Sequence, residues 1–142
     1  RHFDVENSDL VQSQVGLLAA ATAEVGDPQV RHRGTIGGAM AHGDPASDLP
    51  AALIALGGSL VIDGPSGRRQ VDVDSFFTGF LETALSEEEM LVEVRVPKMP
   101  ESTWSFQKFN RGKKSLQSIL TELNAGRSQE YYGRELLLKL SL

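Results

Sequence analysis

Two β-rich runs joined by a turn sequence place the strongest constraint on the fold of this 142-residue chain. The runs are Ser59–Ile62 and Gln70–Val73, and the segment between them, Asp63–Gly67, has the Asp, Gly and Pro residues of a tight turn. Such a turn pairs its flanking strands antiparallel. Residues Leu91–Val96 alternate along their length and end at Pro97, which is typical of a half-exposed antiparallel strand. The sequence therefore predicts an antiparallel sheet.

A helical pattern precedes these strands. Apolar residues between Leu10 and Val25 recur with helical spacing, which predicts one long helix. Its expected N-cap is Asn7 or Ser8, and its expected stop is Gly26.

A second, shorter helix is predicted farther along. It would start at Asp48 as N-cap, carry Pro50 in its first turn and end before Gly57. Between Gly26 and Asp48, five glycines and two prolines interrupt every regular period, so we expect an ordered loop there.

The order of these elements predicts an α+β fold, an antiparallel sheet with covering helices on one face. After the hairpin, Phe76, Phe77 and Phe80 are expected to fill the core. Trp104–Phe109 is expected to pair with Leu91–Val96 as its neighbouring strand.

Composition excludes several classes of function. Nineteen acidic residues against fourteen basic ones give a net charge of −5, which repels nucleic acid and anionic membranes. The chain has no cysteine, so it offers no disulfide or thiolate metal ligand, and redox chemistry requires a bound cofactor. Its three histidines are too scattered for a metal site. The apolar stretches fall far short of the ~20 residues that cross a bilayer, which predicts a soluble protein.

The segment around Thr35 is the candidate for binding chemistry. Gly37 and Gly38 lack a Cβ, so their N–H groups and the threonine hydroxyl could approach a phosphate closely. Taken alone, paired glycines more often mark a turn. Asp48 alone more often caps a helix than binds sugar hydroxyls.

Two charged clusters invite a functional interpretation. Arg31-His32-Arg33 is equally consistent with phosphate binding and with bracing a loop. The three consecutive carboxylates Glu87–Glu89 are interpreted as a solvated turn.

A longer match then becomes visible. Val25–Gly38 and Ala41–Pro50 closely resemble the FAD-binding, or medium, subunit of molybdenum hydroxylases, a family that includes carbon monoxide dehydrogenase-like and xanthine dehydrogenase-like enzymes. The same order and spacing continue in five further runs, so the resemblance covers about residues 9–111. These runs are Phe76–Gly79, Thr83–Leu85, Glu88–Leu91, Val94–Pro97 and Phe106–Arg111.

The resemblance implies an FAD site of the vanillyl-alcohol-oxidase type, with residues 1–111 as its second subdomain. In the family a preceding subdomain carries a second glycine-rich loop, so the start at Arg1 is interpreted as a cut from a longer chain. The implied contacts to the pyrophosphate and ribityl chain lie in Thr35–Ala39. Asp48 would make a polar contact, and Leu91 would pack on the flavin. The full set of implied cofactor contacts is Thr35, Ile36, Gly37, Gly38, Ala39, Asp48, Leu91 and Lys108, the last with Gln107 beside it.

The resemblance also implies an activity. The parent protein would be an oxidoreductase component with no acid, base or nucleophile of its own. Its FAD would receive electrons from a 2Fe-2S small subunit, which draws them from a molybdopterin large subunit, and would pass them to NAD+, a quinone or oxygen.

Two other functions stay open. The chain could be a truncated remnant that does not bind FAD, or a module that self-associates into a homo-oligomer through residues 112–142. That tail departs from the family pattern and is predicted to be helical. Its helical spacing rests on Leu116, Ile119, Leu120 and Leu123.

Overall fold

The computed structural model describes residues 1–108. The chain divides into two compact units, Arg1–Trp104 and Ser105–Leu142, and every helix and strand of the described residues belongs to the first. The predicted helix in the tail, over residues 112–142, lies outside the described residues.

Short helices surround a small antiparallel sheet. In the described part of the chain the helices are α1 (His2–Glu6), α2 (Asp9–Gln14), α3 (Gly16–Ala23), α4 (Pro28–Arg33), α5 (Ile36–His42), α6 (Asp48–Ala55) and α7 (Val73–Phe76). The strands are β1 (Ser59–Gly64), β2 (Gly67–Asp72), β3 (Phe77–Gly79), β4 (Glu82–Thr83) and β5 (Met90–Arg95). Strands β2, β1 and β5 form one sheet in that order, and β3 pairs with β4. The predicted α+β class is confirmed. No helix in residues 1–108 is long and apolar enough to cross a membrane.

The hairpin prediction is confirmed. Strands β1 and β2 pair from Ser59 opposite Asp72 to Gly64 opposite Gly67, which leaves only two residues in the turn. Gly67 has a φ of +94°, a conformation that glycine adopts without strain.

The predicted neighbour of the alternating strand is wrong. Strand β5 pairs with β1, and residues 104–108 contain no strand, while Phe109 lies outside the described residues. The first four residues of β1 are buried, as suits the central strand of the sheet. A local sequence pattern does not say which strand is central.

The predicted long helix is two helices. Ser8 caps α2, accepting a hydrogen bond from the Val11 amide at 3.4 Å, and the chain leaves helical geometry at Val15, with φ −149° and ψ 53°. Helix α3 then starts at Gly16, where an added Cβ would lie 2.7 Å from the Trp104 ring. The break lets Val15 stay buried and lets the indole approach the backbone.

The predicted ordered loop also contains helices. Asp27 caps α4 by accepting a hydrogen bond from the Val30 amide at 2.9 Å, and Pro28 occupies the first turn, where a missing N–H costs no helical bond. Helix α5 ends at Gly43, whose φ of +65° is left-handed. The glycines and prolines therefore mark the ends of helices that are too short to show a period.

The core lies between the helices and the sheet. Phe76 is fully buried there, as predicted, and meets the half-buried Phe77 edge to face with ring centroids 5.2 Å apart. Phe80 does not join them, because it occupies the β3–β4 turn and is 78% exposed. The other large side chains that are fully buried are Met40, Leu49, Leu53, Leu60, Ile62, Val73 and Thr22.

Candidate functional site

Five of the predicted cofactor contacts lie together at the start of α5. Thr35 is the N-cap, and Ile36–Ala39 form the first turn. Ile36 and Gly37 are half-buried, whereas Thr35 and Gly38 are exposed. The start of this helix is therefore at the surface, within reach of a ligand.

Main-chain N–H groups at this turn differ in their partners. The Gly38 amide donates to the Thr35 side-chain oxygen and the Ala39 amide to the Thr35 carbonyl, both at 3.0 Å. The amides of Ile36 and Gly37 donate to no acceptor among residues 1–108. The Thr35 hydroxyl accepts from Gly38 and still has its own hydrogen to donate. The turn thus presents donors to an external acceptor.

The two glycines of this turn have different surroundings. A Cβ added to Gly38 would lie 2.9 Å from Thr35 Oγ1, so this glycine is needed for the helix cap itself. A Cβ added to Gly37 would meet nothing closer than Leu91 Cδ2, at 4.0 Å, which is an ordinary contact. The protein does not require glycine at position 37 for its own packing, and that makes Gly37 the stronger candidate for close approach of a ligand.

Leu91 comes to this turn from the sheet. Helix α5 packs on β5. Leu91 of β5 is half-buried, and its Cδ2 atom is toward Gly37. The structure therefore brings Leu91 next to the Thr35–Ala39 turn.

Asp48 and Lys108 are placed differently. The N-cap of α6 is Ser47, so the prediction that Asp48 is the cap residue is wrong by one position. Asp48 lies in the first turn, where its negative charge favours the helix, and α6 packs against α5. Lys108 and Gln107 belong to the second unit, Ser105–Leu142.

The cluster Arg31-His32-Arg33 forms the last turn of α4 and contacts α1. Arg31 forms an ion pair with Glu6 at 2.8 Å and donates to the Val25 carbonyl at 3.1 Å. The His32 ring stacks on Phe3, with centroids 4.2 Å apart. These contacts favour a structural role for the cluster, in bracing this part of the chain, over a role in phosphate binding.

An open depression of about 370 Å³ lies elsewhere on the surface and contains none of the predicted cofactor contacts. Small residues of α3 and the Trp104 ring are among the residues that line it. Its lining residues are Glu6, Asn7, Gln12, Gly16, Ala19, Ala20, Ala23 and Trp104.

Sequence reasoning missed an ion pair between β2 and the segment before β5, which we name the Arg69–Glu89 clamp. Arg69 Nε and Nη2 donate to the two Glu89 oxygens, both at 2.7 Å, and Nη2 also donates to the Ala84 carbonyl at 2.6 Å. The Ser86 amide donates to Glu89 at 3.0 Å. These hydrogen bonds, chiefly those from Arg69, lower the pKa of Glu89 from 4.5 to about 2. Glu87 and Glu88 are exposed as predicted, but Glu89 is not a solvated carboxylate.

The chain is similar to a known family and to several known proteins. The family described as "FAD binding domain in molybdopterin dehydrogenase" matches residues 1–99. The carbon monoxide dehydrogenase medium chain of Hydrogenophaga pseudoflava is 48% identical over 109 residues, which make up 76% of this chain and 38% of that protein. The glyceraldehyde dehydrogenase medium chain of Sulfolobus acidocaldarius is 41% identical over 97 residues, 68% of this chain and 34% of that protein.

Solved structures show the same fold. Carbon monoxide dehydrogenase from Hydrogenophaga pseudoflava, in a form lacking the Mo-pyranopterin moiety, matches with a TM-score of 0.75 and 47% identity over 78% of this chain and 39% of that one. Quinoline 2-oxidoreductase from Pseudomonas putida 86 matches with a TM-score of 0.66 and 34% identity over 68% of this chain and 34% of that one.

The chain belongs to the FAD-binding domain family of the molybdopterin dehydrogenases. The predicted family is confirmed, and with it FAD as the family's cofactor and oxidoreductase as the class of its members. The chain spans about 38% of the length of the carbon monoxide dehydrogenase medium chain that it matches.

Proposed function

We propose that residues 1–111 act as the second subdomain of a vanillyl-alcohol-oxidase-type FAD-binding domain, within the flavin component of a cytoplasmic molybdenum hydroxylase. The observation that carries this proposal is the first turn of α5, which lies at the surface, is open at Gly37 and faces Leu91, in a chain whose family binds FAD. The proposed cofactor contacts are Thr35, Ile36, Gly37, Gly38, Ala39, Asp48, Leu91 and Lys108.

The residues at this turn fit the chemistry of FAD. Its diphosphate oxygens accept hydrogen bonds, and the amides of Ile36 and Gly37 and the Thr35 hydroxyl are available to donate them. The missing side chain at Gly37 lets an anion reach the backbone. Leu91 supplies the apolar surface that a flavin ring requires. The donor set and the apolar wall thus lie on adjacent elements.

The residues of this chain position and shield the cofactor. When FAD is bound, the chemistry it supplies is electron transfer, which needs no acid, base or nucleophile from the protein. The first turn of α5 would hold the diphosphate, Asp48 would accept a hydrogen bond from the cofactor, and Leu91 would exclude water from the ring face.

The proposed partners follow from the family. We expect a 2Fe-2S small subunit to supply electrons, a molybdopterin large subunit to oxidise the substrate, and NAD+, a quinone or oxygen to accept the electrons. Because the substrate would bind on the large subunit, this chain does not select it.

Binding of FAD compared with riboflavin tests the proposal. The intact chain is titrated with each compound, and quenching of flavin fluorescence is measured. Riboflavin has the ring but no diphosphate, so we expect FAD to bind about tenfold more tightly or better, equivalent to about 1.4 kcal/mol. Failure of the chain to bind FAD, or equal affinity for the two compounds, would contradict the proposal.

A further inference from the structure

Strand β5 does not pair regularly with β1. Val61 lies opposite Glu93, but the next residue, Ile62, lies opposite Leu91, so Val92 is an extra residue at that step. An extra residue of this kind is a β-bulge. It reverses the face of the sheet to which each side chain before it points. Without the bulge, Ile62 would pair with Val92.

The bulge decides which side chain faces α5. Ile62 is fully buried, and its register partner Leu91 points to the same face of the sheet, with Cδ2 toward Gly37. In a regular strand Leu91 would instead share the opposite face with Glu93 and Arg95. The proposed flavin site therefore depends on one inserted residue.

The Arg69–Glu89 clamp acts at the same place. Arg69 lies opposite Ile62 on β2, so Arg69, Ile62 and Leu91 form one row across the sheet. Glu89 precedes Leu91 by two residues, and its ion pair with Arg69 joins the start of β5 to the far edge strand. A Cβ added to Gly64 would lie 2.8 Å from Glu89 Cγ, so this glycine provides the space in which the carboxylate sits.

We propose that the Arg69–Glu89 clamp is a positioning pair that holds β5 in its bulged register and thereby keeps Leu91, rather than Val92, against α5 and the flavin. The part of this inference that concerns flavin rests on the proposed function, whereas the part that concerns register does not. When the clamp is removed, the start of β5 slips by one residue, the bulge disappears, and Val92 takes the place of Leu91.

The register is tested without any cofactor. In the intact chain, nuclear Overhauser effects are measured between the α protons of Gly37 and the methyl groups of residues 91 and 92. The parent chain should show the Leu91 contact, and Glu89→Ala should replace it with a Val92 contact. The matched control is Glu93→Gln, which removes another β5 ion pair, the one to Arg95 at 2.8 Å, and should keep the Leu91 contact.

Cofactor binding gives the second readout. Glu89→Ala should raise the Kd for FAD about tenfold and change the visible circular dichroism of the bound flavin, since valine covers less of the ring than leucine. Adding Val92→Leu to Glu89→Ala should restore the parent Kd and spectrum, because the slipped strand presents position 92. In the parent register Val92→Leu alone should leave both unchanged.

Three results would overturn the inference. The first is a Leu91–Gly37 contact that persists in Glu89→Ala, and the second is loss of that contact without a Val92 contact replacing it. The third is a double variant that binds FAD no better than Glu89→Ala, in a setting where the parent chain does bind FAD. If Glu89→Ala fails to fold, Gly64→Ala displaces the same carboxylate with both charges retained, and the same two measurements apply. A parent chain that binds no FAD contradicts the proposed function, while the register measurement still decides this inference.

Discussion

Adjacent glycines in the first turn of α5 serve different purposes. Gly38 makes room for the Thr35 cap, and Gly37 leaves an open side next to Leu91. A helix is usually less stable with glycine than with alanine at the same position. A helical glycine that packing does not require therefore indicates a role other than folding. Position 37 is therefore the residue at which folding and binding can be separated.

Replacement of Gly37 by valine should remove FAD binding and leave the fold intact. The added side chain would occupy the side from which the diphosphate approaches, yet its Cβ makes only an ordinary contact with Leu91 Cδ2 at 4.0 Å. Flavin fluorescence titration measures the first effect and far-UV circular dichroism the second. Ala41→Val, which adds similar bulk at an exposed position of the same helix, is the control and should bind FAD normally. Equal FAD affinity of Gly37→Val and the parent chain would refute the role of Gly37.

Alanine at the two glycines should affect stability in opposite directions. Gly38→Ala pushes a Cβ to within 2.9 Å of Thr35 Oγ1 and disturbs the cap, which should cost about 1 kcal/mol. Gly37→Ala has room and should add up to about 1 kcal/mol through helix propensity. Urea unfolding of both variants measures the difference. A Gly37→Ala chain less stable than Gly38→Ala would mean that the packing argument is wrong.

At the scale of elements, two interruptions of regular secondary structure redirect side chains. Helices α2 and α3 are separated at Val15, and β5 is interrupted at Val92. Each interruption redirects one side chain: the first allows Trp104 to lie on Gly16, and the second directs Leu91 toward α5. A regular helix and a regular strand would satisfy the same apolar periodicity without producing either contact.

Replacement of Gly16 by alanine should move Trp104. A Cβ at this position would lie 2.7 Å from the indole ring, and the ring, which is 44% exposed, can shift outward. The chain has one tryptophan, so its fluorescence reports on this contact alone. We expect the emission maximum to move to longer wavelength as the ring gains contact with water. An unchanged emission spectrum would show that the position of the indole ring does not depend on the absence of a side chain at Gly16.

The clamp should make stability depend on pH in the acid range. The pKa of Glu89 falls from its ordinary 4.5 to about 2 in the folded chain, so its stabilising effect is complete above pH 4.5 and is lost as the pH falls toward 2. Urea unfolding at a series of pH values measures this. Glu89→Gln should be less stable than the parent at pH 6, and the gap should close as the pH approaches 2. A gap that does not change with pH would contradict the ionised clamp.

At the scale of the molecule, β1 joins the parts of the site. It pairs with β2 on one edge and β5 on the other, so the row from Arg69 through Ile62 to Leu91 runs across the whole sheet. Helix α5 then packs on β5, next to the end of that row. The proposed flavin site at α5 therefore lies beside the end of a row that crosses the sheet.

FAD should stabilise the whole folded unit. A ligand that binds only the folded state adds about 2.7 kcal/mol to the free energy of unfolding at one hundred times its Kd. The melting temperature of the intact chain should therefore rise with FAD concentration and respond far less to riboflavin at the same concentration. In Gly37→Val the rise should be absent. A melting temperature insensitive to FAD would count against binding to the folded chain.

The sequence by itself determined the family, the α+β class, the hairpin, the β5 segment and the identity of the candidate contacts. These depend on local periodicity and on the order and spacing of the residues that resemble the family. Tertiary structure alone decided the break at Val15, the exposure of Phe80, the central position of β1 and the bulge at Val92. Each of these depends on what packs against the segment from elsewhere in the chain, and a local pattern carries no information about a distant neighbour.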